Sequence, residues 1–435
     1  MKFAIVGAGW AGLAAAVRAT EAGHQVSVFE AARLAGGRAR SVLQEHAGRQ
    51  HWLDNGQHIL IGAYVETLAL MRTVGVDPGQ ALLRLPLDLR GPDGSGLVLP
   101  DRAPPWDALA GILAARGWGW RDKAALLAAT TRWQLAGFRC APQTSVAQLC
   151  AGLPARVRQA FVEPLCLSAL NTAAEEASAS VFLRVLRDAL LGGRGGSNLL
   201  IPRRPLGALF PEPAIAWLRA RGQAVYLGQR VAALAREGAR WRVDGQTFDR
   251  VLLACPSWEA ARLVRSAEHS AGHDVSEAAR AWLARADALR FEPISTVYAA
   301  SATRLPRPML ALASSADAPA QFVFDRRLLG QDGGGDSAEH GGGDGLLAFV
   351  VSVSRGTREE LQQQVLAQGR AQLGLSDLQG VVTIVEKRAT FACTPALERP
   401  GLQIAPGLAA CGEYVAGPYP GTIEGAVRSA LEALQ

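Results

Sequence analysis

The chain has 435 residues, 49% of them hydrophobic and 19% charged, a balance typical of a folded protein rather than a disordered one. At this length we expect roughly two or three domains. The net charge of +6 comes almost wholly from scattered arginines, which argues against a nucleic-acid binder, and no apolar run reaches the roughly 20 residues of a membrane span.

The six cysteines are scattered, with neither a Cys-x-x-Cys pair nor metal-ligand spacing relative to histidine. We therefore expect free, buried thiols in a reducing cytoplasmic setting, and no metal site. The N-terminal glycine motif occupies the residues that a signal peptide would lose, which argues against secretion.

The N-terminal residues have the pattern of a dinucleotide-binding β-α-β unit. Its parts are a strand, a glycine motif, an alanine-rich helix and a second strand: residues 3–6, Gly7-x-Gly9-x-x-Gly12, 13–22 and 25–29. Gly7 would make the tight turn, Gly9 would let the backbone approach a pyrophosphate, and Gly12 would let the helix pack close to the strand. The N–H groups at the helix start would face the phosphates.

An acid and a second glycine turn indicate which dinucleotide is bound. Glu30, at the end of the second strand, can accept hydrogen bonds from a ribose diol and would repel a 2′-phosphate. Gly36-Gly37-Arg38 then adds a second turn, with an arginine that can neutralise phosphate. The combination resembles the extended fingerprint of the FAD-binding amine oxidase and phytoene desaturase superfamily. That resemblance implies FAD and an α/β fold: a Rossmann-like FAD-binding domain (GR2-type, amine oxidase-like) interleaved with an α+β substrate domain.

The elements that follow predict a chain that alternates between these two domains. The FAD-binding domain would take residues 1–64, 200–256 and 401–435, and the substrate domain 65–199, mostly helical, and 257–400. Predicted strands lie at 224–227, 231–236, 240–243, 248–254, 294–300, 321–324, 346–352 and 381–389, and predicted helices at 214–221 and 358–373. The glycine- and aspartate-rich stretch 331–345 predicts a mobile loop.

Three further segments narrow the resemblance. They are Asp54-Asn-Gly-Gln57-His58-Ile with Tyr64, Glu163-Pro-Leu-Cys-Leu-Ser-Ala-Leu-Asn171-Thr172, and Gly-Pro-Tyr419-Pro-Gly-Thr422-Ile423-Glu-Gly. Together they resemble hydroxysqualene dehydroxylases, the squalene-associated FAD-dependent desaturases of bacterial hopanoid pathways. The resemblance spans the chain. It implies a small isoprenoid substrate, hydroxysqualene, reduced to squalene with reduced FAD as the hydride source, and it leaves the electron donor unknown.

The resemblance also implies cofactor contacts beyond the glycine motifs. The segment around position 57 would pass along the isoalloxazine ring, a strand near 231 would meet the adenine, and the C-terminal motif would reach the ribityl chain, pyrophosphate and pyrimidine. These contacts would be Gln57, His58, Val231, Gly412, Glu413, Thr422 and Ile423. The family more often has Asp than Glu at position 413.

Loss of water from an allylic carbon leaves a stabilised cation, so we expect a proton donor at the leaving oxygen and shielding from bulk water. His58 suits this acid by its intrinsic pKa. Glu163 in an apolar pocket is the second candidate, because burial raises a carboxyl pKa. Asn171 would orient the substrate oxygen or simply cap a helix, and Asp54 would fix its loop.

Two rival functions remain open at this point. An oxidising carotenoid or terpenoid desaturase, or an amine oxidase, would use the same cofactor motifs, which do not set redox direction. A lipid escort of the GDP-dissociation-inhibitor type would share the architecture without catalysis, but retention of both glycine motifs argues against it.

Four tryptophans allow two interpretations. Trp106, Trp118, Trp120 and Trp133 lie among leucine, isoleucine and arginine in a helical region. This is the composition of an interfacial membrane anchor and also of ordinary helix packing. The first interpretation places the protein peripherally on the inner face of the membrane, where basic residues favour anionic lipid.

Overall fold

The computed structural model describes residues 1–46, 48–271, 276–331 and 345–435. A six-stranded sheet takes its strands from three distant parts of the chain. In spatial order they are β10 (Ala224–Leu227), β2 (Gln25–Glu30), β1 (Lys2–Val6), β14 (Arg250–Leu253), β21 (Leu408–Ala410) and β20 (Gln403–Ala405). Pairing is parallel from β10 to β21, and β20 is antiparallel to β21. The carboxyl ends of the parallel strands therefore share one edge, where sheets of this kind bind ligands.

Helices cover one face of this sheet, and a smaller sheet covers the other. The first face packs against α1 (Trp10–Glu21), α11 (Pro211–Arg219) and α15 (Ile423–Glu432). Strands β1 and β2 are buried almost throughout, because both of their faces are covered. The second face packs against β11 (Leu234–Glu237), β12 (Arg240–Val243), β13 (Gln246–Phe248), α12 (Ser257–Ala271) and α13 (Glu277–Asp287).

The second large sheet is antiparallel. Its strands, in spatial order, are β16 (Met309–Ala311), β17 (Phe322–Asp325), β18 (Gly345–Ser352), β15 (Phe291–Ser301) and β19 (Gln379–Phe391). Alternate residues face opposite sides: Val297 and Phe349 pack in the layer of α14 (Arg358–Leu373), whereas Tyr298 and Ala348 face the main core. This sheet therefore separates α14 from the rest of the molecule.

Residues 65–199, predicted as the first part of a substrate domain, are mostly helical, as expected, but they also include strands. The helices are α2 (Val65–Thr73), α3 (Pro78–Ala81), α4 (Trp106–Ala114), α5 (Trp120–Leu135), α6 (Val146–Leu149), α7 (Ala155–Val157), α8 (Glu163–Leu170) and α9 (Ala179–Leu191), with a π-helical turn at Arg158–Val162. The strands are β6 (Leu82–Leu85), β7 (Asp88–Arg90) and β8 (Gly96–Val98). Short neighbouring elements complete the chain: β3 (Ser41–His46), β4 (Arg49–Asp54), β5 (Leu60–Ile61), β9 (Leu199–Pro202) and α10 (Leu206–Leu209).

The predicted elements agree with the structure where the apolar pattern is local. The predicted strands 224–227 and 240–243 and the helix 358–373 have the bounds of β10, β12 and α14. The strand predicted at 231–236 is wrong at its start, because the N–H groups of Ala232 and Ala233 donate to the Asp244 carboxylate, at 3.0 and 3.1 Å, and β11 begins at Leu234. Most of the loop predicted at 331–345 lies outside the described residues. The domain boundaries remain a prediction.

One close approach positions α1 on the sheet. A Cβ atom on Gly12 would lie 1.9 Å from the carbonyl oxygen of Gly7, so no side chain fits there. Gly7 itself has φ of +113°, a conformation that favours glycine. The fingerprint therefore works here as expected: a tight turn at Gly7 and direct contact of α1 with the turn at Gly12.

We predict that Gly12→Ala will lower the free energy of unfolding by about 2 kcal/mol or more, since the added methyl group meets backbone that cannot rotate away. Bound flavin should fall with it, because α1 moves from the end of β1. Urea denaturation and the flavin-to-protein absorbance ratio measure the two effects. Gly152→Ala is the matched control, because its Cβ would meet no atom within 4 Å. Equal behaviour of the two variants would contradict the packing argument.

Candidate functional site

The two glycine motifs meet at the carboxyl end of β1. Gly9 and Gly36 form an isolated parallel bridge, and the Gly36 N–H donates to the Ala8 carbonyl over 2.8 Å. A Cβ atom on Gly9 would have Gly37 Cα, at 3.9 Å, as its nearest neighbour, so space is open above the turn. Gly9 also precedes the first turn of α1, whose N–H groups point the same way. The two motifs thus form one backbone surface suited to a pyrophosphate.

Glu30 is held in place at the end of β2. One carboxylate oxygen accepts from the Ala8 N–H over 2.7 Å and the other from the Ala32 N–H over 2.8 Å. Each oxygen keeps a lone pair for a ribose hydroxyl. The Gln229 N–H donates to the Glu30 carbonyl over 2.8 Å, which brings the loop containing Val231 to the same edge. Val231 is buried, and its carbonyl accepts from Arg262 over 2.7 Å.

Arg38 and Glu413 form an ion pair that joins the second glycine motif to the C-terminal segment. Arg38 also donates to the Ala389 carbonyl over 3.3 Å. The second carboxylate oxygen of Glu413 is buried with no hydrogen-bond partner in the described part of the chain. The sequence predicted that both residues lie near the cofactor but not that they contact each other. The longer side chain of Glu, where the family more often has Asp, is the one that reaches Arg38 here.

Asp54 anchors the segment that leads to His58. The carboxylate is buried and accepts from the Ser41 hydroxyl over 2.7 Å and from the Leu206 N–H over 2.9 Å. The Tyr298 hydroxyl, from the antiparallel sheet, donates to the Asp54 carbonyl over 2.8 Å. Burial raises the pKa of Asp54 to about 6. Asp54 therefore ties the hairpin β3–β4 to the start of α10 and to the antiparallel sheet, in agreement with a loop-fixing role.

Gln57 presents buried polar atoms that the described protein residues do not satisfy. Neither its amide nitrogen nor its amide oxygen has a hydrogen-bond partner there, and the Tyr414 hydroxyl is in the same state. An unsatisfied buried polar group costs about 1–3 kcal/mol, so such groups indicate a ligand that donates and accepts. An isoalloxazine ring offers both carbonyl and N–H groups along one edge. The residues present therefore fit the flavin that the glycine motifs predict.

His58 has a defined tautomer. Its Nδ1 lies 2.6 Å from the Gly56 carbonyl oxygen, which can only accept, so Nδ1 carries the proton and Nε2 has the lone pair. Burial lowers the pKa of His58, and the positive charge of Arg38 lowers it further. Both effects favour the neutral imidazole over the protonated form that a proton donor needs.

The structure places Glu163 and Asn171 at opposite ends of α8. Glu163 follows the π-helical turn and is exposed, so the expectation of a closed apolar pocket around it is wrong. Partial burial nevertheless raises its pKa, and the charge of Glu175 raises it further. Asn171 ends α8 with φ of +47°, and its side-chain oxygen accepts from the Ser352 hydroxyl over 3.3 Å. Asn171 is thus a helix cap that also contacts β18.

The C-terminal motif builds the start of α15. The Thr422 hydroxyl accepts from the Gly425 N–H over 3.0 Å and donates to the Tyr419 carbonyl over 2.7 Å, and Ile423 is the first helical residue. Gly412 has φ of +154°, and its N–H donates to the Ser429 hydroxyl over 2.9 Å. Gly412 and Thr422 therefore contact the same helix, next to the Arg38–Glu413 pair.

Two features went unrecognised in the sequence. Tyr64 and Tyr419 pack edge to face with ring centroids 6.0 Å apart, although both stand in motifs already singled out. A small apolar cavity of about 30 Å³ lies between α4, α5, β8 and α9. It is lined by Leu97, Leu99, Ala108, Ile112, Leu126, Thr130, Trp133, Phe161 and Leu186. Its apolar lining suits a hydrocarbon.

The family model of flavin-containing amine oxidoreductases matches residues 10–433. This chain belongs to that family. The match confirms the fold class, an enzymatic oxidoreductase and FAD as cofactor. The cyclohexylamine oxidase of Brevibacterium oxydans superposes with a TM-score of 0.70 at 15% identity, over 99% of this chain and 97% of that one. At that identity the likeness concerns the fold alone.

Several proteins of known name are more similar to this chain in sequence than the cyclohexylamine oxidase is. The hydroxysqualene dehydroxylase of Rhodopseudomonas palustris is 29% identical over 99% of this chain and 96% of its own. That of Zymomonas mobilis is 30% identical over 61% of this chain and 64% of its own. A probable zeta-carotene desaturase of Synechococcus elongatus is 43% identical, but over 17% of this chain and 15% of its own. Among these three, similarity along nearly the whole chain is found with a hydroxysqualene dehydroxylase.

We predict that Gln57→Leu will weaken FAD binding by roughly tenfold or more without destabilising the apoprotein, because the lost amide has no protein partner to leave unpaired. Flavin titration of the apoprotein and its thermal unfolding measure the two quantities. Gln368→Leu is the matched control. Its buried amide accepts from the Ala320 N–H over 2.9 Å and donates to the Ala313 carbonyl, so this change should destabilise the apoprotein. A destabilised Gln57→Leu apoprotein with normal FAD affinity would contradict the assignment.

A second prediction concerns pH. The pKa of Asp54 is about 6 in the folded protein, against about 3.9 for an ordinary aspartate. The folded state therefore binds this proton more tightly, and the carboxyl's contribution to stability is full below about pH 4 and is lost as the pH rises through about 6. Asp54→Asn should remove that decline, since the amide keeps an accepting oxygen.

Urea denaturation of wild type and Asp54→Asn across this pH range tests the prediction. The unfolding free energy of Asp54→Asn minus that of wild type should increase as the pH rises. Asp93→Asn serves as the control, because Asp93 is exposed and hydrogen bonds from Ser95 lower its pKa. Parallel curves for wild type and Asp54→Asn would mean that the carboxyl does not titrate in this range.

Proposed function

We propose that this FAD-dependent oxidoreductase removes the hydroxyl group of hydroxysqualene to give squalene. The observation that carries the proposal is similarity along nearly the whole chain to a hydroxysqualene dehydroxylase. The similarity to a carotene desaturase covers a small part of the chain, which disfavours the oxidising alternative. The buried, unpaired polar atoms of Gln57 fit a bound flavin, which disfavours a lipid escort.

The apolar cavity supports an isoprenoid substrate. Its lining is aliphatic and aromatic except for the Thr130 hydroxyl, which donates to the Leu126 carbonyl over 2.8 Å. The lining therefore offers no free hydrogen-bonding group, as the surroundings of a hydrocarbon chain require. Reduced FAD, when bound, supplies the hydride that replaces the hydroxyl group. The hydroxyl oxygen takes up one proton and leaves as water.

Two side chains are the proposed sources of that proton. The hydrogen bond from Nδ1 to Gly56 leaves Nε2 of His58 as the atom that takes up or releases a proton. The pKa of His58 is lowered, so a lower pH than for an ordinary histidine is needed to populate its protonated form. Glu163, whose pKa is raised, is the second candidate, and Asn171 is proposed to orient the substrate oxygen.

The protein's location follows from the substrate. No helix in the described part of the chain is long and apolar enough to cross a bilayer. Because the proposed substrate is a membrane lipid, we propose a cytoplasmic enzyme in peripheral contact with the inner face of the membrane. The donor that reduces its flavin remains unidentified.

Anaerobic incubation of the photoreduced enzyme with hydroxysqualene tests the function. We expect one squalene per flavin in a single turnover, with His58→Ala retaining FAD and slowing product formation by about tenfold or more. The wild-type rate should rise as the pH falls, and His58→Ala should flatten that dependence. His24→Ala is the matched control, since His24 stacks on Phe3 at the opposite end of β1.

Each outcome separates the candidates. An unchanged rate in His58→Ala with a slowed Glu163→Gln would assign the acid to Glu163. Absence of squalene in wild type would overturn the proposed function, and a more unsaturated product formed by the oxidised enzyme would assign the chain to the desaturases.

A further inference from the structure

The four tryptophans predicted as one group divide into two. Trp118 and Trp133 are buried in the main core, whereas Trp106 and Trp120 are 63% and 76% exposed. Tryptophan is rarely so exposed in a protein without a partner at that surface. Ordinary packing therefore accounts for Trp118 and Trp133 but does not account for the exposed Trp106 and Trp120.

The exposed pair belongs to a larger apolar surface. Five exposed residues of α5 follow each other at helical spacing, Trp120, Ala124, Ala128, Thr131 and Leu135, and the exposed Arg121, Arg132 and Gln134 lie beside them. On α4, Leu113 follows Trp106 by seven residues, which places both on the same side of that helix. Leu135 is 85% exposed. We call Trp106, Leu113 and the five spaced residues of α5 the docking face.

The same two helices are also apolar on their inner side. Ile112 of α4, and Leu126 and Trp133 of α5, line the apolar cavity. A helix with apolar residues on both sides is typical of a buried position. The outer sides of α4 and α5 are exposed instead, so we expect a partner to cover them. One layer of helices separates the docking face from the cavity.

Charge indicates what covers this face. Exposed arginines surround it at positions 102, 116, 121, 132 and 139. The acids of the same region are engaged: Asp101 pairs with Arg194 at 3.3 Å, Asp107 is buried, and Asp122 accepts from the Gly119 N–H that precedes α5. The surface is therefore apolar at its centre and cationic around it. A second copy of the same face would repel it, whereas anionic lipid would attract it.

Lys123 adds a further cation next to the docking face. Its ammonium group donates to the Leu113 carbonyl over 2.7 Å and lies 5.6 Å from the centre of the Trp120 ring. It thereby joins the end of α4 to the start of α5 and presents a cation beside the exposed indole. Tryptophan with an adjacent cation is typical of the interface between lipid headgroups and acyl chains.

We propose that the docking face inserts into the surface of an anionic lipid bilayer, so that the membrane that holds the isoprenoid lies against α4 and α5. This inference rests on the proposed function for the identity of the isoprenoid, but not for the docking itself. In this arrangement one side of α4 and α5 contacts the bilayer and the other side lines the cavity.

Flotation on a density gradient tests the docking. The probes are vesicles of phosphatidylcholine alone and of phosphatidylcholine with phosphatidylglycerol, and the protein is the FAD-loaded full chain. We expect wild type to float with the anionic vesicles and to lose this at high salt, and Trp106→Ala/Trp120→Ala to bind about tenfold less. Trp52→Ala is the matched control, because Trp52 is also exposed, on the hairpin β3–β4, and should float like wild type.

A second measurement follows substrate delivery. Single turnover is compared for hydroxysqualene carried in anionic vesicles and in detergent micelles. The ratio of the vesicle rate to the micelle rate should fall about tenfold in Trp106→Ala/Trp120→Ala, in proportion to the lost binding, and stay constant in Trp52→Ala. If wild type forms no squalene from either carrier, the proposed function fails, while flotation still decides the docking.

Three results would overturn the docking proposal. One is equal flotation of the double variant and wild type, and another is failure of wild type to float with anionic vesicles. The third is a wild-type dimer in solution that Trp106→Ala/Trp120→Ala dissociates, which would assign the face to a contact between two copies of the chain.

Discussion

The contact of Gly12 with the Gly7 carbonyl is the constraint on which the rest of the site depends. Because no Cβ separates them, the start of α1 lies directly at the end of β1, and Gly9 comes beside Gly36. That bridge fixes the second glycine turn, from which Arg38 reaches Glu413 in the last segment. The parallel pairing of β14 with β1 and β21 brings the last part of the chain to the same edge of the sheet, where the glycine contact positions the first part.

The sequence predicted what depends on local pattern. The glycine motifs, β10, β12 and α14 follow from residues adjacent in the chain, so their positions could be inferred before the structure. The start of β11 could not, because the Asp244 carboxylate takes the N–H groups of Ala232 and Ala233 from across a turn. Likewise Trp118 is buried and Trp120 is exposed, because Trp118 lies in the connection before α5 and packs inward, whereas Trp120 starts the helix; composition does not indicate this difference.

The catalytic candidates show why intrinsic pKa values were an insufficient guide. Burial penalises the charged form of each group, so it lowers the pKa of His58 and raises that of Glu163. The two shifts have opposite directions, so the ordinary order of the two pKa values does not identify the acid. The choice between them therefore depends on which group reaches the leaving oxygen, a matter of position that the motifs did not contain.

Helix α9 relates the cavity to the flavin side of the molecule. Leu186 lines the cavity, and Asp188 follows within the same turn. Burial raises the pKa of the Tyr419 phenol, and the charge of Asp188 raises it further. Asp188 pairs with Arg184 at 2.8 Å, so its charge is compensated beside the Tyr64–Tyr419 rings. A hydrocarbon in the cavity is thus one helix away from the motif that begins α15. Helices α4 and α5 carry the docking face on one side and line the cavity on the other, so a bilayer at that face lies next to the apolar cluster that α9 continues towards the C-terminal motif.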